Sequence, residues 1–430
     1  MAVAENQPAN KNRMTTELSN FAARLREAIL SEGRVPRGPD LKGQNGDLCN
    51  SPLRDFNRPA LELFALQFKL NAAYRKICEA RGLTPAVVEH WTQIPAVPTT
   101  AFKELDLTCL TPAERTAVFH SSGTTEQKPS RHFHNAESLA VYEASLWPWF
   151  EQNILADSKL KIKNSKLVIL TPPPTPAPRS SLVHMFETIR QKLGAAETAF
   201  VGKLADDGAW ALDFDAVLTM LGGNSKLKTQ NPKLILGTAF SFVHLLDWLA
   251  ERNMRFDLPA GSLVMETGGY KNRSRSMPKA ELHQLITKRL GVLPSHVICE
   301  YGMSELSSQA YDTELERRSP TRHDGVPASV CNPNKPKLEI QQHAGSETGA
   351  PPNSRHFRFP PWVRVQIISP ESGREVANGE TGLIRVFDLA NVFSVLAIQT
   401  EDLGVRRENG FELVGRAQLA EPRGCSLMAV

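Results

Sequence analysis

The chain has little to tie it to a membrane, a disulfide framework or a nucleic acid. No uninterrupted apolar run approaches the ~18 residues of a spanning helix. Residues Met1 to Met14, rich in Ala, Asn, Gln and Lys, lack the apolar centre of a signal peptide and read as a frayed tail. The six cysteines, Cys49, Cys78, Cys109, Cys299, Cys331 and Cys425, are scattered and form no CxxC pair. That spacing argues against a disulfide scaffold and a zinc ribbon, and for a reducing cytoplasm. Lys plus Arg outnumber Asp plus Glu by 50 to 46, a formal charge of +4 over 430 residues. So small an excess implies neither nucleic acid nor an acidic lipid face. Repeats and low-complexity runs are missing too. What remains is an average globular composition and enough length for one large core or about three units of ~150 residues.

Residues 15–82 read as helical: Leu18, Phe21, Leu25 and Ile29 recur at helical spacing, and Leu61, Leu63, Leu66, Phe68 and Leu70 follow without Gly or Pro. The Pro- and Thr-rich stretch Ile94 to Phe102 suits an extended entry into a core. A βα rhythm comes next. Short apolar runs at Lys166–Leu170, Lys233–Gly237, Ser262–Met265 and His296–Cys299 alternate with helical stretches starting near Ser180, Phe240 and Pro278. The expected fold class is therefore α/β with a parallel sheet. Beyond about Ser319 the texture turns antiparallel, with strands at Arg358–Ile368 and Gly382–Leu389 and turns at Ser372-Gly373 and Asn378-Gly379. The expected division is a tail at 1–14, a helical part and βα core over 15–318, a β-rich subdomain over 319–416, and a tail at 417–430.

Two stretches carry chemistry. In His120-Ser121-Ser122-Gly123-Thr124-Thr125-Glu126-Gln127-Lys128, four hydroxyls surround one glycine ahead of a lysine. The glycine lets backbone N–H groups converge, the hydroxyls donate to phosphate oxygens and the lysine adds charge. A Walker loop is excluded because no glycine precedes Lys128. A Ser/Thr-rich surface turn is the competing reading. The second stretch, Glu300-Tyr301-Gly302-Met303-Ser304-Glu305, follows an expected strand, where open α/β sheets place ligands. Tyr301 can stack on a flat ring and Glu305 can hold a divalent cation, although a strand exit with a solvated Glu has the same pattern. His132 and His134 alternate as on a strand and suit a nucleotide-facing edge, with no third ligand for a metal. His120 abuts the loop. His184 reads as a packed core histidine. Trp147, Trp149, Phe240, Phe242 and Trp248 suit an acyl tunnel or ordinary core packing equally well.

In this order the two stretches resemble the ANL superfamily of adenylate-forming enzymes. Thr400-Glu401-Asp402 stands where that family has a ribose-binding Thr-Gly-Asp, Gly415-Arg416 resembles its hinge, Gly268-Gly269 its adenine-lining backbone and Gly379-Glu380-Thr381-Gly382 its Gly-Glu-x-Gly turn. Two departures are Glu126 and Glu401, each at a position where the family usually has glycine. The chain ends fourteen residues after Arg416, without the family's large C-terminal domain and its catalytic lysine. A shortened adenylating core with this Glu-Tyr-Gly-x-Ser-Glu pattern is similar to the LuxE-type acyl-protein synthetases.

The resemblance implies an adenylating core of parallel βα layers with a smaller antiparallel β subdomain. It implies a ligase that uses ATP and Mg²⁺ to activate a fatty or other carboxylic acid. The acyl group would then pass to a cysteine near the C-terminus, here Cys425, and on to an acyl-CoA-reductase-like (LuxC-type) partner. Ser121, Ser122, Gly123, Thr124, Thr125 and Lys128 would take the phosphates, and Glu305 the metal. Tyr301, Gly302, Ser304, Gly268 and Gly269 would line the nucleotide, with Asp402 and Arg416 on the ribose. Lys128 is the only motif lysine to stand in for the missing one. Arg423 beside Cys425 would favour the thiolate, although free cysteines are often simply buried. A stand-alone acyl- or aryl-CoA or amide ligase, and a non-catalytic nucleotide-binding subunit, remain open as alternatives.

Overall fold

The computed structural model describes residues 7–32, 53, 55–121, 128–155, 165–206, 208–222, 231–270, 274–312 and 355–417. Helix α1 (Gln7–Glu32) starts within the segment expected to be a tail. Pro8 sits in its first turn, where a missing N–H costs nothing. Leu18, Phe21, Leu25 and Ile29 are all buried, as their spacing predicts. Helices α2 (Asn57–Leu70) and α3 (Ala72–Ala80) follow. They are separated at Asn71, whose side chain accepts from Tyr74 N at 3.0 Å and caps α3. Next come strand β1 (Val97–Pro98), the short helix α4 (Ala101–Glu104), strands β2 (Ala117–His120) and β3 (Arg131–His134), and helix α5 (Ala136–Phe150).

The βα part runs β4 (Lys166–Ile169), α6 (Ser181–Leu193), β5 (Glu197–Phe200), the small hairpin β6 (Gly202–Leu204) and β7 (Trp210–Leu212), and α7 (Phe214–Leu221). It continues through β8 (Lys233–Thr238), α8 (Ala239–Glu251), β9 (Leu263–Thr267), α9 (Lys279–Leu290), β10 (Val297–Tyr301) and β11 (Ala310–Tyr311). Six of these strands form one sheet in the order β11-β10-β9-β8-β4-β5, parallel except for β11. Ser180 and Thr238 cap α6 and α8 through their hydroxyls, at 3.2 and 3.1 Å from Val183 N and Ser241 N.

Alternate residues of this sheet feed two different cores. Leu167, Ile169, Leu234, Leu236, Leu263, Met265 and Ile298 pack on the side of α1, α2, α3, α5 and α6. Val168, Leu170, Ile235, Val264 and Val297 pack with residues of α7, α8 and α9. A second sheet joins β12 (Val363–Ile368), β13 (Thr381–Asp388), β14 (Ala397–Arg407) and β15 (Gly410–Arg416), with β1 parallel along β14. The N-terminal helices are tied to it by Gln67, fully buried. Its amide donates to Asn391 O at 2.8 Å and accepts from Leu396 N at 2.8 Å. Among the described residues no helix is long and apolar enough to cross a membrane.

Candidate active site

The Ser/Thr/Gly loop leaves β2 and returns into β3. Ser122, Gly123, Thr124 and Thr125 lie outside the described residues; the neck of the loop does not. Ser130 N donates to Ser121 Oγ at 3.0 Å and Ser121 N to Ser130 O at 3.3 Å, which clamps the loop ends together. Arg131 and Arg179 stand at the neck, Arg131 paired with Asp106 at 3.0 Å. His120 N donates to Arg179 O at 2.9 Å. The His120 imidazole is pushed below its ordinary pKa, first by burial and then by the charges of Arg179 and Arg131. Lys128 is exposed and pairs with Glu104 at 3.3 Å. An exposed pair of this kind is worth little, so a phosphate can compete for the ammonium.

Glu305 links this loop to the end of β10. Its buried carboxylate accepts from Ser130 Oγ on one oxygen and from Ser304 Oγ at 3.0 Å on the other, and Asn391 Nδ2 donates to its carbonyl at 2.9 Å. Two stretches some 175 residues apart are thereby in direct contact. At the same edge Tyr301 Oη donates to Asp402 Oδ2 at 2.9 Å, and Arg416 Nε lies 3.7 Å from Asp402 Oδ1. Burial raises the Tyr301 pKa well above its ordinary value, with Asp402 adding to it, and burial also raises Asp402. The Tyr301 ring packs against Phe357, Phe359 and Phe411. Gly268 has φ +70°, a conformation that favours glycine. Gly268 and Gly269 are exposed at the end of β9 with open space where a Cβ would be, so their backbone can be approached closely.

The structure corrects two expectations. His132 and His134 do not face a nucleotide. Both are buried, their rings 4.2 Å apart, and His132 Nδ1 donates to Ser304 O at 2.9 Å. The outward residues of this short strand are Arg131 and Phe133. Nor do the five aromatic residues wall one tunnel. Trp147 and Trp149 belong with one core and Phe242 and Trp248 with the other, on opposite sides of the sheet. His184 lies against Phe119 and Tyr142, with Nε2 3.5 Å from Glu143, as a packed histidine should. Cys425 lies outside the described residues.

His132 yields a pH prediction. Burial pushes its pKa down to about 4, against the pull of the Ser304 carbonyl. The unfolded value is ~6.5, so the native state binds fewer protons in between. Stability is complete above the unfolded value and is lost as pH falls towards the folded one. Between pH ~7 and ~5 the loss is about 2 kcal/mol. His132→Asn, which can still donate to Ser304 O, is expected to remove that loss in urea melts at the two pH values. Asp388, raised to about 6 by burial, acts in the opposite sense over the same window, but both proteins share it. Equal pH slopes for wild type and variant would refute the assignment.

Among the described residues no group of three or more His, Cys, Asp or Glu side chains gathers as a metal cage. Mg²⁺ is usually held by one or two carboxylates together with substrate phosphates. Glu305 has the chemistry for this. Each of its oxygens accepts one hydroxyl and keeps a lone pair free.

A profile of the acyl-protein synthetase LuxE family matches residues 50–326, well over half of the chain. The chain belongs to the LuxE acyl-protein synthetase family. It is 23% identical over 372 residues to the long-chain-fatty-acid–luciferin-component ligase of Vibrio harveyi, covering 83% of this chain and 82% of that one. The ligase of the same name from Aliivibrio fischeri is 22% identical over 205 residues, 45% of this chain and 44% of that one. Among solved structures, 2-hydroxyisobutyryl-CoA ligase in complex with 2-HIB-AMP superposes with a TM-score of 0.55 at 14% identity, over 84% of this chain and 67% of that one. This likeness shows the fold, in which parallel βα layers meet an antiparallel subdomain. The family is one of acyl-activating ligases.

Proposed function

We propose that this protein activates a carboxylic acid, a long-chain fatty acid in the first instance, with ATP, and then takes the acyl group onto Cys425 as a thioester for delivery to a reductase-like partner. The observation that carries the first half is the contact of Ser130 with Glu305, which joins the anion-binding loop to the strand exit at the sheet edge. In the first step the acid's carboxylate attacks the α-phosphorus and pyrophosphate leaves. The chain's contribution is position and charge. The loop from Ser121 to Thr125 cradles phosphates, and Lys128 with the Arg131 and Arg179 charges offsets their negative charge. Asp402 and Arg416 receive the ribose, and Tyr301 fixes Asp402. Mg²⁺ bound at Glu305 would neutralise phosphate charge. In the second step a thiolate attacks the acyl carbonyl and AMP leaves. A nucleophile tethered to the same chain makes that step effectively unimolecular.

Intact mass after incubation with ATP and a panel of fatty acids tests the reading. Wild type is expected to gain the mass of one fatty acid less water, labile to hydroxylamine. Cys425→Ser should gain none while still releasing pyrophosphate. Acylation of the variant to the wild-type extent would exclude Cys425. Turnover only with added CoA would favour a CoA ligase, and ATP binding with no pyrophosphate from any acid would favour a nucleotide-binding subunit.

A further inference from the structure

Glu300 was not singled out for a role by the local sequence pattern, yet it is the most unusual carboxylate at this edge of the sheet. It is 4% exposed. Residues 298 and 300 of β10 and residues 263, 265 and 267 of β9 share one sheet face. That face is apolar at Leu263, Met265 and Ile298 and turns polar only at its last rung, where Thr267 stands beside Glu300 in register. Thr267 Oγ1 donates to Glu300 Oε2. The other oxygen, Oε1, is aimed at the side-chain position of Gly302, where a Cβ would collide with it. Glycine is therefore required there if the carboxylate is to keep this place.

A buried carboxylate is normally matched by a cation or neutralised. Among the described residues no ion pair involves Glu300, and the groups that act on it are the Thr267 hydroxyl and the Glu266 carboxylate. Tyr142 of α5 and Tyr311 of β11 feel its charge from the facing elements. The Tyr142 hydroxyl receives Gln309 Nε2 at 3.3 Å, and the Tyr311 hydroxyl, wholly buried, has no hydrogen-bond partner among the described residues. The strand continues from Glu300 directly into Tyr301 and, five residues on, Glu305. Thr267 is followed directly by Gly268-Gly269. The pair thus stands one residue before both segments that frame the candidate nucleotide site.

We propose that Glu300 is the general base of the acyl-transfer step, taking the proton from the thiol that attacks the acyl-adenylate. The proposal rests on the adenylate-and-thioester reading above. In this step the S–H proton passes to Glu300 Oε1 and the sulfur forms a bond to the acyl carbonyl carbon. The bond from that carbon to the AMP oxygen breaks, AMP leaves as the anion, and Glu300 returns its proton to solvent. Burial, opposed by the Thr267 hydrogen bond, brings the carboxyl to about 7. A base works best with a pKa near the operating pH. The glycine at 302 makes room for Oε1 beside the strand exit, and Thr267 keeps Oε2 in place.

The test separates the two half-reactions. Acid-dependent pyrophosphate release reports adenylation. Single-turnover decay of preformed acyl-adenylate to the protein thioester, followed by intact mass from pH ~5.5 to ~9, reports transfer. Glu300→Gln is expected to form acyl-adenylate at close to the wild-type rate, to transfer it about 10²- to 10⁴-fold more slowly, and to lose the rise in rate near neutrality. Thr267→Val removes the hydrogen bond that lowers the Glu300 pKa, so its rising limb should move to higher pH with adenylation intact. This second variant decides the matter should Glu300→Gln fail to fold. Transfer by Glu300→Gln at the wild-type rate, or loss of both half-reactions together, would overturn the base. So would an unmoved profile in Thr267→Val. Wild-type protein that makes no acyl-adenylate from any acid would instead overturn the functional reading itself, and the base would fall with it.

Discussion

Glu305→Ala is expected to lower acid-dependent pyrophosphate release by at least about 100-fold, the size of effect seen when one preorganised charge-stabilising group is removed. The carboxylate is buried, and each of its oxygens is held by a hydroxyl, from Ser130 on the loop side and Ser304 on the strand side. It therefore has two separable contributions, one mechanical and one electrostatic. Ser130→Ala removes only the mechanical link, and a loss of about tenfold is expected, the lower end of the worth of one hydrogen bond to a charged group. Glu305→Gln keeps the volume and one acceptor oxygen but removes the charge, so its activity should stay close to that of the alanine variant. A glutamine variant that turns over like wild type across a magnesium titration would show that Glu305 only holds the hairpin. Mg²⁺ would then need another ligand.

Much of the fold around this candidate site is legible in the sequence, because its parts are local. The starts of α6 and α8 coincide with Ser180 and Thr238, each a hydroxyl placed to cap a helix, and β4, β8, β9 and β10 fall on the short apolar runs. Parallel strands buried on both faces are apolar at every position. The sequence therefore offered no way to tell which residues of Leu167-Val168-Ile169-Leu170 face which core. That ambiguity leaves the aromatic residues of α5 and α8 open, in the sequence, to a tunnel and to core packing alike.

Contacts made through sheet register were equally hidden. Thr267 and Glu300 are 33 residues apart and meet only because β9 and β10 pair in parallel. The sequence signal for Glu300 is a carboxylate at the end of an apolar strand. The hairpin of β6 and β7 was missed because its strands are three residues each, too short for periodicity to show. His132 and His134 were correctly placed on a strand but on the wrong side of it. A four-residue strand with two histidines on one face and Arg131 and Phe133 on the other has no hydrophobic bias to orient it.

The largest effect on stability is expected at Asp312, which fastens the sheet edge on which β10 lies. It is wholly buried, and its carboxylate accepts from Cys299 N at 2.6 Å, Lys279 Nζ at 2.9 Å and Arg355 Nη2 at 3.5 Å. Arg355 also donates to Asp312 O at 2.8 Å and Val297 O at 2.7 Å, and Tyr311 exchanges backbone hydrogen bonds with Arg358 at 3.1 and 3.2 Å. One carboxylate thus ties Arg355 and the start of α9 to the Cys299 amide of β10. Asp312→Ala leaves Arg355 largely buried beside an unpaired Cys299 N–H, and breaking such a buried pair costs about 3 to 5 kcal/mol. Arg24→Ala, which breaks the exposed pair with Glu62, is the control and should cost at most about 1 kcal/mol. Urea unfolding at neutral pH compares the two. The clasp would have no special weight if Asp312→Ala unfolded no more readily than Arg24→Ala. If it does, Lys279→Met should cost much less than Asp312→Ala, since the lysine is partly exposed and leaves the carboxylate with Arg355 and the Cys299 amide.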